Sequence, residues 1–250
     1  MSTSQLFNFC LHLADNSLIM GHRLSEWTGH GPMLEQDIAM SNIALDLIGQ
    51  SRNFYQYAAV IKNSSGSHSG DENVQGKAAT EDSLAYLRDA TEFKNILLVE
   101  LPNGDWAKTI LKLFFFSTYQ YFLYKKLIKS SDKQLSAIAE KSLKEVIYHV
   151  RWTSEWVIRL GDGTDESHKR LQDAFEELWD YTKEMFVASD YENECVKNNI
   201  GIDVSTLKND WDNKVNEVFI EATLPSTYQK GQGKTSGGKQ GLHTEHLNSI

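Results

Sequence analysis

The sequence contains little cysteine and proline and no long uncharged hydrophobic run. Of its 250 residues, 2 are cysteines and 3 are prolines. Cys10 and Cys195 could form at most one disulfide, and no secretory hydrophobic segment follows Met1, so we expect a reduced, cytoplasmic protein. The longest apolar stretch, around residues 111–127, is interrupted by lysines, which argues against a membrane span.

The charge balance excludes a further class of partner. The chain has 25 basic and 34 acidic residues, a net charge of −9, and an acidic surface repels phosphate backbones. We therefore expect no nucleic-acid partner and no membrane partner. Hydrophobic residues make up 40% and aromatic residues 11% of the chain, which supports a substantial core and excludes a disordered protein.

Apolar residues recur at intervals of three and four, the period of an amphipathic helix. In the clearest example, residues 132–160, the spacing of Ser131 and Gln134 matches a capping box at the helix start. Signals for β-hairpins are absent, so the sequence predicts an all-α fold. Helices are expected near residues 4–24, 32–61, 82–100 (with one break), 105–130, 132–160, 165–189 and 205–223.

Two stretches are predicted to lie outside the helices. Residues 63–80 are rich in serine and glycine and predict a loop. Residues 225–250 predict a flexible Gly/Lys-rich C-terminal tail, which leaves residues 1–224 as one helical domain. The tail adds positive charge to an acidic protein, so it is either a solvated linker or a segment that contacts an anionic partner or ligand.

Long helices with short connections are typical of bundles that hold two metal ions between facing helices. Such a centre takes a Glu from each of two helices and a Glu-x-x-His pair from each of two others. Of the residues three positions before a histidine, only Asp165, before His168, is a carboxylate. Its place near a helix start is typical of a charge that complements the helix dipole. The sequence therefore cannot assemble a standard six-ligand di-metal centre.

Polar residues nevertheless interrupt the apolar helix faces. Asp46 belongs to a small and polar stripe in residues 32–61, and Glu145 and His149 are i, i+4 neighbours in residues 132–160. A buried charge without a partner costs several kcal/mol, so we expect these three residues to be paired. A structural network and a catalytic acid/base pair are both open interpretations. The candidate partners are Arg52, Arg151, His12, His22 and Arg23.

Aromatic residues cover nearly the whole circumference of the predicted helix 105–130. A helix that is apolar all round is buried on all sides, so it lies in the centre of the bundle or at a partner interface. Motifs of serine hydrolases, P-loops and Cys-x-x-Cys sites do not occur. Candidate interface anchors are the tryptophans Trp27, Trp106, Trp152, Trp156, Trp179 and Trp211.

Six unusual strings occur along the chain: LSEWTGHGP from Leu24, IALDLIGQSRN from Ile43, LVELPNGDWA from Leu98, KEVIYH from Lys144, RLGDGT from Arg159 and GGKQGLHTEHL from Gly237. In order and spacing they resemble the C-subunit family (PaaC) of the bacterial phenylacetyl-CoA epoxidase, the multicomponent monooxygenase of aerobic phenylacetate breakdown. The resemblance covers nearly the whole chain.

The resemblance implies a ferritin-like helical bundle with extra helices, homologous to the catalytic A subunit but without its di-iron centre. It implies a non-catalytic structural subunit without a cofactor of its own, which pairs with and supports the A subunit. NADPH, flavin and an iron–sulfur cluster would belong to a separate reductase. Asp46, Glu145 and His149 would then be a vestigial buried polar network that once faced metal.

The same resemblance suggests where the partner binds. Candidate interface residues lie in the first and last strings: Trp27, His30, Lys239, His243, Glu245 and His246. Without its partner, a protein of this kind could form a homodimer. Two alternatives stay open: an autonomous ferritin-like metalloenzyme with an unusual ligand set drawn from Asp46, Glu145 and His149, and a helical adaptor protein.

Overall fold

A computed structural model of the chain describes residues 3–65, 78–225 and 236–250. Helices dominate these ranges, and no β-strand occurs within them, so the all-α prediction is confirmed. The α-helices are α1 (Thr3–Ser25), α2 (Leu34–Ser65), α3 (Glu81–Tyr86), α4 (Leu97–Glu100), α5 (Trp106–Leu127), α6 (Lys133–Gly161), α7 (Asp165–Leu178), α8 (Asp190–Lys197) and α9 (Lys208–Glu221). Short 3₁₀ segments span Ala90–Glu92, Trp179–Phe186, Val204–Leu207, Gly238–Gln240 and Glu245–Ser249.

The long helices α1, α2, α5 and α6 form the central bundle. α1 packs along α2, α5 packs along α6, and α2 meets α6 across the bundle. α5 is buried almost all round because α6, α7 and α9 all pack against it. Trp211 of α9 donates from Nε1 to the carbonyl of Phe115 at 3.0 Å. Of the two sequence interpretations of the aromatic helix, the structure shows the central one.

Short elements differ from the sequence prediction where no full helical period was available. Residues 82–100, predicted as a helix with one break, divide into α3, the 3₁₀ turn Ala90–Glu92 and α4. The predicted helix 165–189 is α-helical only to Leu178 and continues as a 3₁₀ segment. α8 was missed because it has 8 residues, although the capping box of Ser189 with Glu192 marks its start.

The predicted N-cap of α6 is wrong by one residue. Asp132, not Ser131, is the cap, and its Oδ1 accepts from the backbone amides of Gln134 and Leu135 at 3.0 Å each. A carboxylate at this position satisfies two free amides and also complements the positive end of the helix dipole. The Ser131 hydroxyl instead donates to the carbonyl of Asn198 at 3.4 Å.

The structure describes only parts of the two segments predicted to lie outside the helices. α2 continues to Ser65, and residues 66–77 of the first loop lie outside the described residues. In the predicted tail, residues 226–235 also lie outside them. Residues 236–250, however, pack on the bundle, and Lys239 and Leu247 are buried. The expected solvated tail is therefore replaced over this range by a segment with buried partners.

Both cysteines are buried and unbridged. Burial raises the pKa of the Cys10 thiol well above its ordinary value and raises the pKa of Cys195 to about 12. Both thiols are thus poor nucleophiles at neutral pH. Across the described ranges, no helix is both long enough and apolar enough to cross a membrane.

Candidate functional site

A chain of polar side chains crosses the interior of the four-helix bundle. Its members, which we call the central polar network, are Ser17 of α1, Gln50 of α2, Gln120 and Tyr124 of α5, and Glu145 of α6. The Gln120 amide donates to Ser17 Oγ at 3.3 Å and to the Tyr124 hydroxyl at 3.2 Å. Tyr124 donates to Gln50 Oε1 at 3.5 Å, and Gln50 donates to Glu145 Oε2 at 3.0 Å. The network thus ties all four long helices together.

Asp46 and His149 form a second link between α2 and α6, one turn from the Gln50–Glu145 link. His149 Nε2 lies 3.0 Å from Asp46 Oδ2, so this nitrogen carries the proton that the carboxylate accepts. The other ring nitrogen, Nδ1, is buried and has no hydrogen-bond partner among the described residues. In the neutral ring it presents an acceptor lone pair to the bundle interior.

Burial shapes the proton affinities in this region. It raises the pKa of Glu145, and nearby Asp46 raises it further, while the hydrogen bond from Gln50 opposes the shift. Burial also raises the pKa of the Tyr124 hydroxyl. Glu145 therefore holds its proton more readily than a solvated glutamate, which lowers the charge density available to a cation.

The expected pairing of Asp46, Glu145 and His149 is found, but none of the five basic partners predicted for them is the partner. Only the pairing of Asp46 with His149 brings a basic side chain to these carboxylates among the described residues. The five proposed partners lie elsewhere: Arg52 at Glu81, Arg151 over the Tyr148 ring, His12 at Glu192, His22 stacked on Tyr86, and Arg23 at Glu26. Their positions depend on helix packing, which the spacing of residues along one helix does not reveal.

The donor set of the central polar network does not fit a carboxylate-bridged di-iron centre. Such a centre needs four carboxylates and two histidines, whereas Ser17, Gln50 and Gln120 offer neutral oxygen and nitrogen atoms. Within residues 3–65, 78–225 and 236–250, no group of three or more His, Cys, Asp or Glu side chains is arranged to hold a metal ion. The arrangement can hold protons and join helices.

The structure brings Asp46, Glu145 and His149 together on the α2–α6 seam, but they are not equally buried. His149 is fully buried, whereas the Asp46 side chain is 36% exposed and Glu145 is half-buried. The seam is open to solvent on the side of the two carboxylates. Gln120 and Tyr124 were not predicted as network members, although a glutamine within the apolar helix 105–130 was a usable signal.

The side chains of two candidate interface residues are buried within the fold. Lys239 is buried, with Nζ 2.9 Å from Glu192 Oε2, and His243 lies with Nδ1 2.7 Å from Glu100 Oε2. Neither side chain is free to contact a partner, because each is paired with a buried glutamate. The physical reason is the same for both: a buried carboxylate requires a cationic or hydrogen-bonding group nearby.

The remaining interface candidates lie nearer the surface. Trp27 is half-buried, packs edge-on against Trp106 at a ring separation of 5.3 Å, and donates to Thr109 Oγ1 at 3.0 Å. Trp106 packs in the same edge-on manner against Trp152 and Trp156. Of the others, His30 and Glu245 are exposed and His246 is partly exposed.

The first half of α2 exposes an apolar stripe. Leu34, Ile38 and Leu45 are 70%, 52% and 66% exposed, and they lie on one face of the helix. We call them the outer α2 face. Gly49, one turn further along, has open space where a side chain would lie. Exposed apolar side chains grouped on one helix face are a candidate interaction site.

The chain resembles known proteins over its whole length. Residues 1–250 match the family model described as "Phenylacetic acid catabolic protein". The chain is 42% identical over 244 residues to the C subunit of 1,2-phenylacetyl-CoA epoxidase from Escherichia coli (strain K12), a match that covers 98% of this chain and 92% of that protein. Together with the helical architecture, these matches confirm the ferritin-like bundle with extra helices that the six strings predicted.

Proposed function

The chain belongs to the phenylacetic acid catabolic protein family, and from this premise we propose that it is a non-catalytic structural subunit of a phenylacetyl-CoA 1,2-epoxidase. It pairs with and supports a di-iron catalytic subunit in the cytoplasm. NADPH, flavin and an iron–sulfur cluster belong to a separate reductase. The name of the Escherichia coli relative, the C subunit of such an epoxidase, supports both the assembly and the substrate class.

The observation that carries the non-catalytic role is that every member of the central polar network except Glu145 is a neutral side chain. Gln50 and Gln120 occupy inward positions on two of the four long helices, and they supply amides rather than carboxylates. An amide can donate as well as accept, so these side chains take part in a hydrogen-bonded chain where carboxylates would repel one another. The network therefore replaces metal coordination by hydrogen bonds that hold the four helices in register.

The pairing itself is supported by the outer α2 face. Moving a fully exposed Leu or Ile side chain out of water is worth roughly 1.5–3 kcal/mol, and this face presents three Leu or Ile residues that are each 52–70% exposed, so each can supply about half or more of that value. The face lies on one of the four bundle helices, so a partner bound there supports the same helices that the network joins. An obligate subunit of this kind is expected to self-associate when it is isolated.

Metal analysis tests the proposal directly. The chain is purified alone and after coexpression with the di-iron subunit, and iron and manganese are measured per chain. We expect metal near zero in the isolated chain and iron only in the complex. About two metal ions per isolated chain would instead support the autonomous metalloenzyme, with Asp46, Glu145 and His149 as the first ligands to test. Failure of any ferritin-like subunit to copurify would support the adaptor.

A matched pair of variants tests the pairing face. Leu45→Lys places a charge on the outer α2 face, whereas Ile220→Lys places the same charge on α9, where Ile220 is also exposed. We expect Leu45→Lys to reduce recovery of the coexpressed di-iron subunit about tenfold or more and Ile220→Lys to leave it unchanged. Circular dichroism of both variants shows whether the fold is retained. Equal recovery with both variants would place the pairing surface elsewhere.

A further inference from the structure

Three glutamates that are distant in sequence are buried on one side of the bundle. They are Glu100 of α4, Glu184 of the segment Trp179–Phe186 and Glu192 of α8. All three are almost completely removed from solvent, and a carboxylate in such a position must receive hydrogen bonds or a counter-charge. Each of them receives a hydrogen bond from residues 236–250.

Residues 236–250, which we call the clasp, supply these groups at three successive places. The contacts are the Gly237 amide to Glu184 Oε1 at 2.7 Å, Lys239 Nζ to Glu192 Oε1 at 3.0 Å and Oε2 at 2.9 Å, His243 Nδ1 to Glu100 Oε2 at 2.7 Å, and the Thr244 amide to Glu100 Oε1 at 2.6 Å. The clasp thus compensates one buried acid after another along its length.

Close backbone approach accompanies these polar contacts. A side-chain carbon on Gly238 would collide with the carbonyl oxygen of Asn95. Gly241 has φ +82°, and a side chain there would collide with the carbonyl oxygen of Thr91. Both glycines are therefore required for the clasp to lie against residues 91–95.

The two charged anchors of the clasp differ in what holds them. The first anchor is the ion pair in which Lys239 Nζ contacts both carboxylate oxygens of Glu192. Burial alone would raise the pKa of Glu192, but Lys239 and His12 lower it below its usual value. Two further titratable groups lie at this anchor: burial lowers the pKa of His12, and burial raises the pKa of Tyr191, whose hydroxyl donates to the Lys239 carbonyl. The Glu192 carboxylate beside Lys239 therefore stays ionised at neutral pH.

The second anchor depends on the protonation of a histidine. His243 Nδ1 lies 2.7 Å from Glu100 Oε2, and its Nε2 lies 3.0 Å from the carbonyl oxygen of Phe93. Both neighbours are acceptors, and a neutral imidazole has only one N–H to donate. Both hydrogen bonds can therefore exist together only in the imidazolium form. Loss of the proton removes one of them and leaves Glu100 without its counter-charge.

Other charged groups around His243 favour the protonated form. Burial lowers the pKa of His243, but the hydrogen bonds to Glu100 and the Phe93 carbonyl, together with the charge of Asp15 on α1, raise it above the usual value overall. Nearby cations are already engaged: Arg88 pairs with Asp15, and Arg23 donates to the carbonyl of Glu100. Two further titratable groups nearby are Tyr181, which interacts electrostatically with Glu100, and Lys94, which interacts with Asp15.

We propose that the clasp is a pH-gated element, closed by protonated His243 and released at its C-terminal half when this residue loses its proton, while Lys239 keeps the first half in place. Release widens a crevice of about 260 Å³ lined by Leu247 and Ile250 of the clasp and by Leu18, Tyr86 and Phe93 of the bundle. It also uncovers Glu100. This inference stands on intrachain contacts and does not depend on the proposed pairing.

Hydrogen exchange of the full chain, read by mass spectrometry from about pH 6 to about pH 9.5, tests the clasp. Exchange in residues 242–250 is divided by the intrinsic rate at each pH and compared with a peptide from α5. We expect protection of residues 242–250 to fall about tenfold or more as pH rises, with α5 protection unchanged. His243→Gln is expected to show low protection at every pH, and the control His246→Gln, altered at a partly exposed histidine, to keep the wild-type profile.

Wild-type protection that stays constant over this pH range would overturn the proposal, as would a His243→Gln variant that keeps the wild-type pH dependence. If His243→Gln does not fold, the wild-type protein decides. The His243 ring is then titrated by NMR, and its deprotonation must coincide in pH with the loss of protection. A transition that follows His12 instead would lie at more acidic pH and would also refute the mechanism.

Discussion

Replacement of Lys239 by methionine should destabilise the protein strongly. The Lys239 ammonium lies 3.0 Å and 2.9 Å from the two oxygens of Glu192, and both side chains are 1% exposed. It also donates to the carbonyl of Val187 at 2.9 Å. Methionine keeps the volume of the side chain but leaves a buried carboxylate with only His12, 3.7 Å away, as a basic neighbour among the described residues, and burial favours the neutral form of that ring. Removing one partner of a buried pair costs about 3–5 kcal/mol.

Thermal or urea unfolding followed by circular dichroism measures this loss. For a chain of this size, about 3–5 kcal/mol corresponds to a decrease in Tm of roughly 6–20 °C. The double variant Lys239→Met/Glu192→Gln removes the uncompensated charge and should recover a large part of the loss. The control Lys208→Met removes an exposed pair with Asp212 on α9 and should cost at most about 1 kcal/mol.

Two outcomes would refute this reasoning. One is a loss of less than about 1 kcal/mol in the free energy of unfolding of Lys239→Met, because leaving a buried carboxylate without its ionic partner destabilises a protein by more than that. A double variant that is no more stable than Lys239→Met is the other. That result would show that the methionine acts through packing and not through the stranded charge of Glu192.

Three further predictions concern single positions. Gly238→Ala should destabilise the protein by about 1–3 kcal/mol, because the added carbon collides with the Asn95 carbonyl. Gly49→Ala adds the same carbon to open space on α2 and should stabilise the protein by about 0.5–1 kcal/mol. Thermal unfolding measures both changes. The ammonium of Lys112 is buried with only neutral acceptors among the described residues, and burial lowers its pKa. The free energy of unfolding should therefore rise with pH up to the pKa of Lys112 in the unfolded chain. Urea unfolding of Lys112→Met should show a smaller dependence on pH. Because the pKa of Glu145 is raised in the folded protein, its contribution to the free energy of unfolding is largest below its pKa in the unfolded chain and falls as pH rises through its pKa in the folded protein. Urea unfolding of Glu145→Gln should show a smaller decrease in stability over this pH range.

The long helices and the fold class could be predicted from the sequence because they depend on local periodicity. The apolar spacing in α2 and α6 determines which face of each helix is buried, whatever it packs against, and the all-round apolar surface of α5 indicates that it is buried on every side. The missing Glu-x-x-His pairs were equally readable, since both residues of such a pair lie on one helix turn. The short elements between α3 and α4 were not, because fewer than two turns carry no reliable period.

The partners of the polar residues were decided only by the tertiary structure. Asp46 and His149 are 103 residues apart, and so are Ser17 and Gln120. The sequence of one helix does not indicate which residue of another helix its polar side chains will contact. Lys239 and His243 looked like surface groups in a Gly/Lys-rich tail. Folding places them beside Glu192 and Glu100, because buried carboxylates require a counter-charge or a hydrogen-bond donor. The sequence thus determined which helix faces are buried, and tertiary packing determined which charged side chains meet in the interior.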